Sequence, residues 1–209
     1  MFPLESVLLP GSLLPLHVFE ERYRVMTQEC LAGDRTFGVV LIERGREVGG
    51  GDERVDVGTA AIIEEVAELV DGRFALICRG TARLHVVAWL PDDPYPVAEV
   101  EIAGDEGPVD PSELARAEAS VRRAWALLSE LGVDSPLDPG LAVGALTAEL
   151  SDSATEAWAW CALAPLTALD RCRLLEAAGH AERLELLCDL TDGVAADARG
   201  LLSGGQTGD

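Results

Sequence analysis

Side chains that could act on a substrate are sparse in this sequence, and their spacing gives no reaction away. All sixteen basic residues of the 209 are arginines. Without a lysine there is no Walker-type phosphate ligand, no Schiff base and no serine–lysine dyad. His17, His85 and His180 lie far apart, and Ser153 has acids near it but no histidine and no GxSxG turn. A nucleophile–base–acid arrangement therefore has no local signature. Cys161, Cys172 and Cys188 with His180 come nearest to a metal set, but structural zinc uses close ligand pairs. None of the five cysteines stands in a CxxC, and they read as small buried apolar residues. The carboxylate pairs Glu64-Glu65 and Asp92-Asp93 read as solvated edges and loops. Gly49-Gly50-Gly51 runs into Asp52-Glu53, without the cation or helix start of a phosphate cradle. No catalytic residue, cofactor or metal is expected.

Composition narrows the partners. Thirty-seven acids against sixteen arginines give a net charge of −21, and both halves of the chain are acidic. Nucleic-acid binding relies on clustered cations that release counterions, and anionic membranes ask for the same, so neither is an expected partner. The segment MFPLESVLLPGSLLPLHVFEER has no basic leader region and is broken by Pro10, Gly11 and Pro15. No run reaches the ~20 apolar residues of a membrane span. The expected setting is cytoplasmic, with reduced cysteines.

The elements that must position any site fall into two halves. Thr36–Ile42, Val57–Glu65, Arg73–Arg79, Thr81–Leu90 and Pro96–Ile102 read as strands, rich in β-branched residues or alternating with period two. Gly80 divides the third run from the fourth, and Asp71-Gly72 marks a hairpin. One helix, Glu20–Leu31, interrupts the strands, with Phe19 and Tyr23 four apart and so on one face. Glycine, proline and acids cluster at Ala103–Pro111. Beyond them the period turns helical. Asp110-Pro111-Ser112-Glu113 is a helix start with a capping acid and proline at the first position; Thr167-Ala168-Leu169-Asp170 is a weaker capping box. Helices are expected from Pro111 to Leu131 and within Asp138–Glu149, Ser153–Ala162, Leu169–Ala177 and His180–Leu202, with a glycine-rich tail after them. Trp158 and Trp160 are two apart and cannot share a helix face, which predicts one of them exposed. Strands first and helices second argue α+β, with a β-rich part over 1–104, a helical part over 105–202 and a tail over 203–209.

One ordered set of short motifs is more specific. Phe2-Pro3-Leu4, Val7-Leu8-Leu9-Pro10-Gly11, Leu14-Pro15-Leu16-His17-Val18-Phe19-Glu20 and Arg22-Tyr23-Arg24 resemble the Lon protease N-terminal domain family. The likeness continues through Phe37-Gly38-Val39, Val57-Gly58-Thr59-Ala60, Asp71-Gly72-Arg73, Gly80, Arg83, Pro94-Tyr95 and Ala98-Glu99-Val100. It closes with Asp170-Arg171, Leu174-Leu175-Glu176 and Arg183-Leu184. The resemblance implies a PUA-like β pseudo-barrel with one inserted helix, followed by a helical bundle. The motifs of the ATPase and peptidase modules are missing from this sequence, so it reads as a stand-alone, non-enzymatic member.

What the resemblance implies is recognition of unfolded or exposed polypeptide segments, as an adaptor that could deliver them to a protease, in a groove between barrel and bundle. Trp89 and Tyr95, in the proline-bearing stretch Trp89–Pro96, are candidate peptide anchors together with Phe2; the alternative for the first two is that they cap the barrel. Glu21 and Arg22 open the first helix and are candidates for contact with a partner, or else an ordinary salt-bridged helix start. Two rival readings stay open. One is a small-ligand sensor or enzyme using a pocket lined by Trp89, His85 and Arg79. The other is a homodimer in which the groove is self-occupied.

Overall fold

Hydrophobic alternation and a few glycines lay out the first half of the chain. The computed structural model describes residues 1–44, 53–104, 107–134 and 152–204. They belong to two units, Met1–Asp105 and Glu106–Asp209. In the first, β1 (Phe2–Leu4), β2 (Leu13–Val18), α1 (Glu21–Ala32), β3 (Thr36–Arg44), β4 (Glu53–Glu68), β5 (Phe74–Leu90) and β6 (Val97–Ile102) follow in order. The sheet runs β1-β3-β4-β5-β2, with β6 also on β5. Among the described residues only the β1–β3 pair is parallel. β2 takes Phe74–Arg79 of β5, and β6 takes Leu84–Leu90 on the same side, since His85 pairs with Val57 of β4 across one edge and Glu101 across the other.

The sequence places a break at Gly80; the structure runs one 17-residue strand through it. The glycine answers a close approach instead of a turn. The chain entering β2 crosses here, with Gly11 N–H donating to Gly80 C=O (2.8 Å) and Gly80 N–H to Ser12 C=O (3.0 Å). A Cβ at Gly80 would lie 2.5 Å from the Leu9 carbonyl oxygen. The hairpin expected at Asp71-Gly72 is present: Gly72 has φ +76°, and Arg24 of α1 donates its Nε proton to the Gly72 carbonyl (2.7 Å). The core gathers Phe2, Leu4, Val18, Tyr23, Met26, Phe37, Val39, Ala61, Ile63, Phe74, Leu76 and Cys78, so α1 covers one face of the sheet.

The second unit holds α2 (Pro111–Glu130), α3 (Ser153–Leu163), α4 (Ala168–Glu176) and α5 (His180–Gly204); the helix expected within 138–149 lies outside the described residues. Caps fall where the sequence puts them. Asp110 accepts from Ser112 N–H (2.7 Å) and Thr167 from Asp170 N–H (3.2 Å). Trp158 and Trp160 correct an expectation, because both are buried. Five consecutive residues of α3, Ala157 to Cys161, are buried, so that helix has no solvent face there. Arg183 is fully buried in this unit, donating to Leu174 C=O (2.9 Å) and lying 3.8 Å over the Trp158 ring. Among the described residues, no helix is long and apolar enough to cross a membrane.

Candidate functional site

Among the described residues β1 and β2 do not pair with each other, although each ends the sheet order. Between them opens a groove of about 270 Å³, lined by Phe2, Leu4 and Ser6 on one side and Leu14 to Glu20 on the other, with Tyr23 of α1. An apolar cavity of ~150 Å³ accommodates a benzene ring, so this one has room for an aromatic or branched side chain. Phe2 builds its inner wall. Its ring stacks on Tyr23 (centroids 4.2 Å apart, planes 9° apart) and tilts against Phe37 (6.2 Å). The Arg22 guanidinium lies 4.5 Å from the centre of the same Tyr23 ring and is salt-bridged to Glu20 (3.2 Å).

Backbone chemistry adds to the groove. Because Gly80 donates to Ser12, the ladder to β5 engages the even-numbered residues of β2 and turns Leu13, Pro15 and His17 outward. Pro15, which has no N–H, therefore sits where no ladder bond is lost, a position typical of an edge strand. Leu13 and Phe19 are 47% and 53% exposed at this edge. Among the described residues the edge thus combines exposed side chains with backbone groups that no strand pairs.

Reactive chemistry is not assembled here. Ser6, His17 and Glu20 are the residue types of a hydrolytic triad, yet among the described residues no hydrogen bond joins any two of them, and Glu20 is committed to Arg22. Nor do the described residues hold a group of three His, Cys, Asp or Glu that could bind a metal. Cys78 and Cys172 are buried free thiols, pushed up by burial to about 12 and about 11, which removes the thiolate that nucleophilic chemistry needs.

The structure separates the residues singled out from sequence. Phe2 lines the groove. Glu21 and Arg22 stand on the first turn of α1 at its rim, and their salt bridges are not to each other: Glu21 pairs with Arg24 (2.8 Å) and Arg22 with Glu20. Trp89 and Tyr95 do not line the groove. Trp89 donates its indole N–H to Asp56 (3.2 Å), with the Arg54 guanidinium 4.8 Å over its ring. Tyr95 donates its hydroxyl to Glu29 of α1. Arg79 is salt-bridged to Glu64 (2.5 Å), so Trp89 and Arg79, ten residues apart on β5, serve separate contacts. Sequence reasoning missed Leu13, His17 and Phe19 as site residues. The available signal was Pro15 inside an apolar run, which marks an edge strand.

Residues 1–193 match the family model for the ATP-dependent protease La (LON) substrate-binding domain. Lon protease of Cytophaga hutchinsonii is 28% identical over 145 residues, 68% of this chain and 18% of that protein. The crystal structure of a Lon N-terminal domain protein from Xanthomonas campestris superposes with a TM-score of 0.64 at 28% identity, covering 89% of this chain and 94% of that one. The N-terminal domain of the Mycobacterium avium complex Lon protease gives 0.57 at 21% identity, over 90% and 94%, a likeness of fold. The chain spans 12% to 18% of the length of the curated Lon proteases it matches.

Proposed function

The chain belongs to the LON substrate-binding domain family, and from that premise we propose that it is a polypeptide-recognition module whose groove between β1 and β2 takes an extended, apolar stretch of another chain. The observation that carries this reading is the meeting, at one seam, of a groove lined mostly by apolar and aromatic side chains with a sheet edge that, among the described residues, has no pairing strand. An extended peptide needs both: main-chain hydrogen bonds supply affinity without regard to sequence, and a cavity for every second side chain selects apolar residues. Unfolded and damaged chains expose such stretches, whereas folded proteins bury them.

A binder of this kind holds its client weakly, because ordering a flexible segment opposes association. Delivery to a protease would suit that strength, since a client must be released, and an adaptor role in the cytoplasm is the setting we infer. The test is fluorescence anisotropy of a labelled, permanently unfolded and alkylated polypeptide titrated with the full chain. Phe19→Asp sets a charge at the groove mouth on a side chain already half exposed, so the fold is spared. We expect micromolar binding that this substitution weakens about tenfold, as for a central apolar contact. Binding no tighter than millimolar, or unchanged in Phe19→Asp, would overturn the reading.

A further inference from the structure

We infer that the outer edge of β6 is a second recognition surface, one that accepts an extended segment in which basic and apolar residues alternate. Among the described residues β6 pairs with β5 alone. Ala103 N–H donates to Arg83 C=O (2.9 Å). Orientation alternates along an antiparallel ladder, so Glu101 also faces its backbone to β5, while Val100 and Ile102 turn their N–H and C=O groups outward. The carbonyl of Pro96, just before β6, takes the Met1 amino group (2.7 Å); among the described residues the outward backbone of Val100 and Ile102 is open to a further strand.

Side chains on this edge specify what would bind. Val100 and Ile102 are 39% and 56% exposed, on the face they share with Val86 and Leu84 across the ladder. Glu99 and Glu101 lie on the other face, exposed, opposite Ala88 and His85. Among the described residues neither carboxylate has an ion pair or a hydrogen-bonded partner, whereas Glu64, Asp92 and Asp192 are all engaged by arginines. A strand added here sets its residues directly opposite these four. Opposite charges across a ladder are favourable and like charges unfavourable, so the complementary segment carries Arg or Lys against Glu99 and Glu101 and apolar residues against Val100 and Ile102. The same charges argue against a second copy of this chain: two β6 edges paired antiparallel would set glutamate against glutamate. None of the residues lining the β1–β2 groove belongs to β6, and the inference does not rest on the groove's role.

Three labelled eight-residue peptides of equal length test it: strictly alternating valine–arginine, strictly alternating valine–glutamate, and four valines followed by four arginines. Each is titrated with the full chain by fluorescence anisotropy. The alternating basic peptide is expected to bind about tenfold tighter than the block peptide, which has the same charge but the wrong pattern. The acidic peptide is expected not to bind. Val100→Pro removes an outward N–H without touching the β5 ladder and is expected to abolish that preference, with thermal melting reporting that the fold persists. Glu99→Arg with Glu101→Arg, both at exposed positions, is expected to transfer binding to the acidic peptide. Equal affinity for the alternating and block basic peptides would reduce the attraction to net charge and overturn the inference. So would full binding in a folded Val100→Pro chain, or an unchanged preference in the double reversal.

Discussion

At the scale of single residues, two polar side chains carry more than their surroundings suggest. Arg183 is wholly removed from solvent, held by the carbonyls of Leu174 and Ala177, by His180 (3.2 Å) and by the Trp158 ring. Methionine would fill much of its volume but leave two buried carbonyls without donors, at about 1–3 kcal/mol each. Arg183→Met is therefore expected to lower stability by about 3 kcal/mol in urea denaturation; a loss below about 0.5 kcal/mol would show that those carbonyls find other donors. Tyr95 behaves differently. Its hydroxyl donates to the Glu29 carboxylate, and that bond, with some burial, pushes the phenol up to about 12 from an ordinary 10. The fold thus favours the protonated phenol. Its contribution is complete below pH 10 and lost as pH rises from there through about 12. Thermal melts across that window should show wild type losing more stability than Tyr95→Phe; parallel losses would remove Tyr95 from the account.

At the scale of elements, the groove depends on how closely two strands approach. Gly58 of β4 pairs with Val40 of β3, and a Cβ there would fall 2.1 Å from the carbonyl oxygen of the preceding Val39. Val39 is also the register partner of Phe2 in β1. Gly58→Ala must push β3 aside and, with it, the inner wall of the groove. Overpacking of this kind costs about 1–3 kcal/mol, so lower stability in urea and weaker binding of unfolded polypeptide are expected together. A loss of stability with unchanged binding would uncouple the groove from the β3–β4 approach. Elements of this sort were largely legible in the sequence. Apolar, β-branched runs located β3 and β4, period-two alternation located the second half of β5 and β6, and Asp110 and Thr167 announced their helices, because composition, alternation and caps are local physics. What escaped was decided by distant partners. Gly80 reads as a break until the chain segment crossing at Leu9 is known. Trp158 and Trp160 read as opposed faces of a half-buried helix until other helices are seen to enclose α3. The candidate site was half legible: Phe2 was singled out, but Leu13, His17 and Phe19 gain significance only because, among the described residues, no strand pairs with the outer side of β2, for which Pro15 was the one local sign. Trp89 and Tyr95 drew attention as aromatics near prolines, and the structure engages the polar end of each internally, at Asp56 and Glu29.

At the scale of the whole molecule, a net charge of −21 and the match to a substrate-binding domain set the terms. Strong like charge favours solubility while apolar edges are exposed, and under the proposed function it would favour apolar or basic segments over acidic ones. The central claim is that unfolded polypeptide binds at the β1–β2 seam, and backbone amide shifts of the isotopically labelled full chain test it most directly. On titration with a permanently unfolded, alkylated polypeptide, the amides of Leu13, His17, Phe19 and the first turn of α1 should move together and saturate at micromolar concentration. Shifts confined to other surfaces, with the β2 edge silent, would contradict the account.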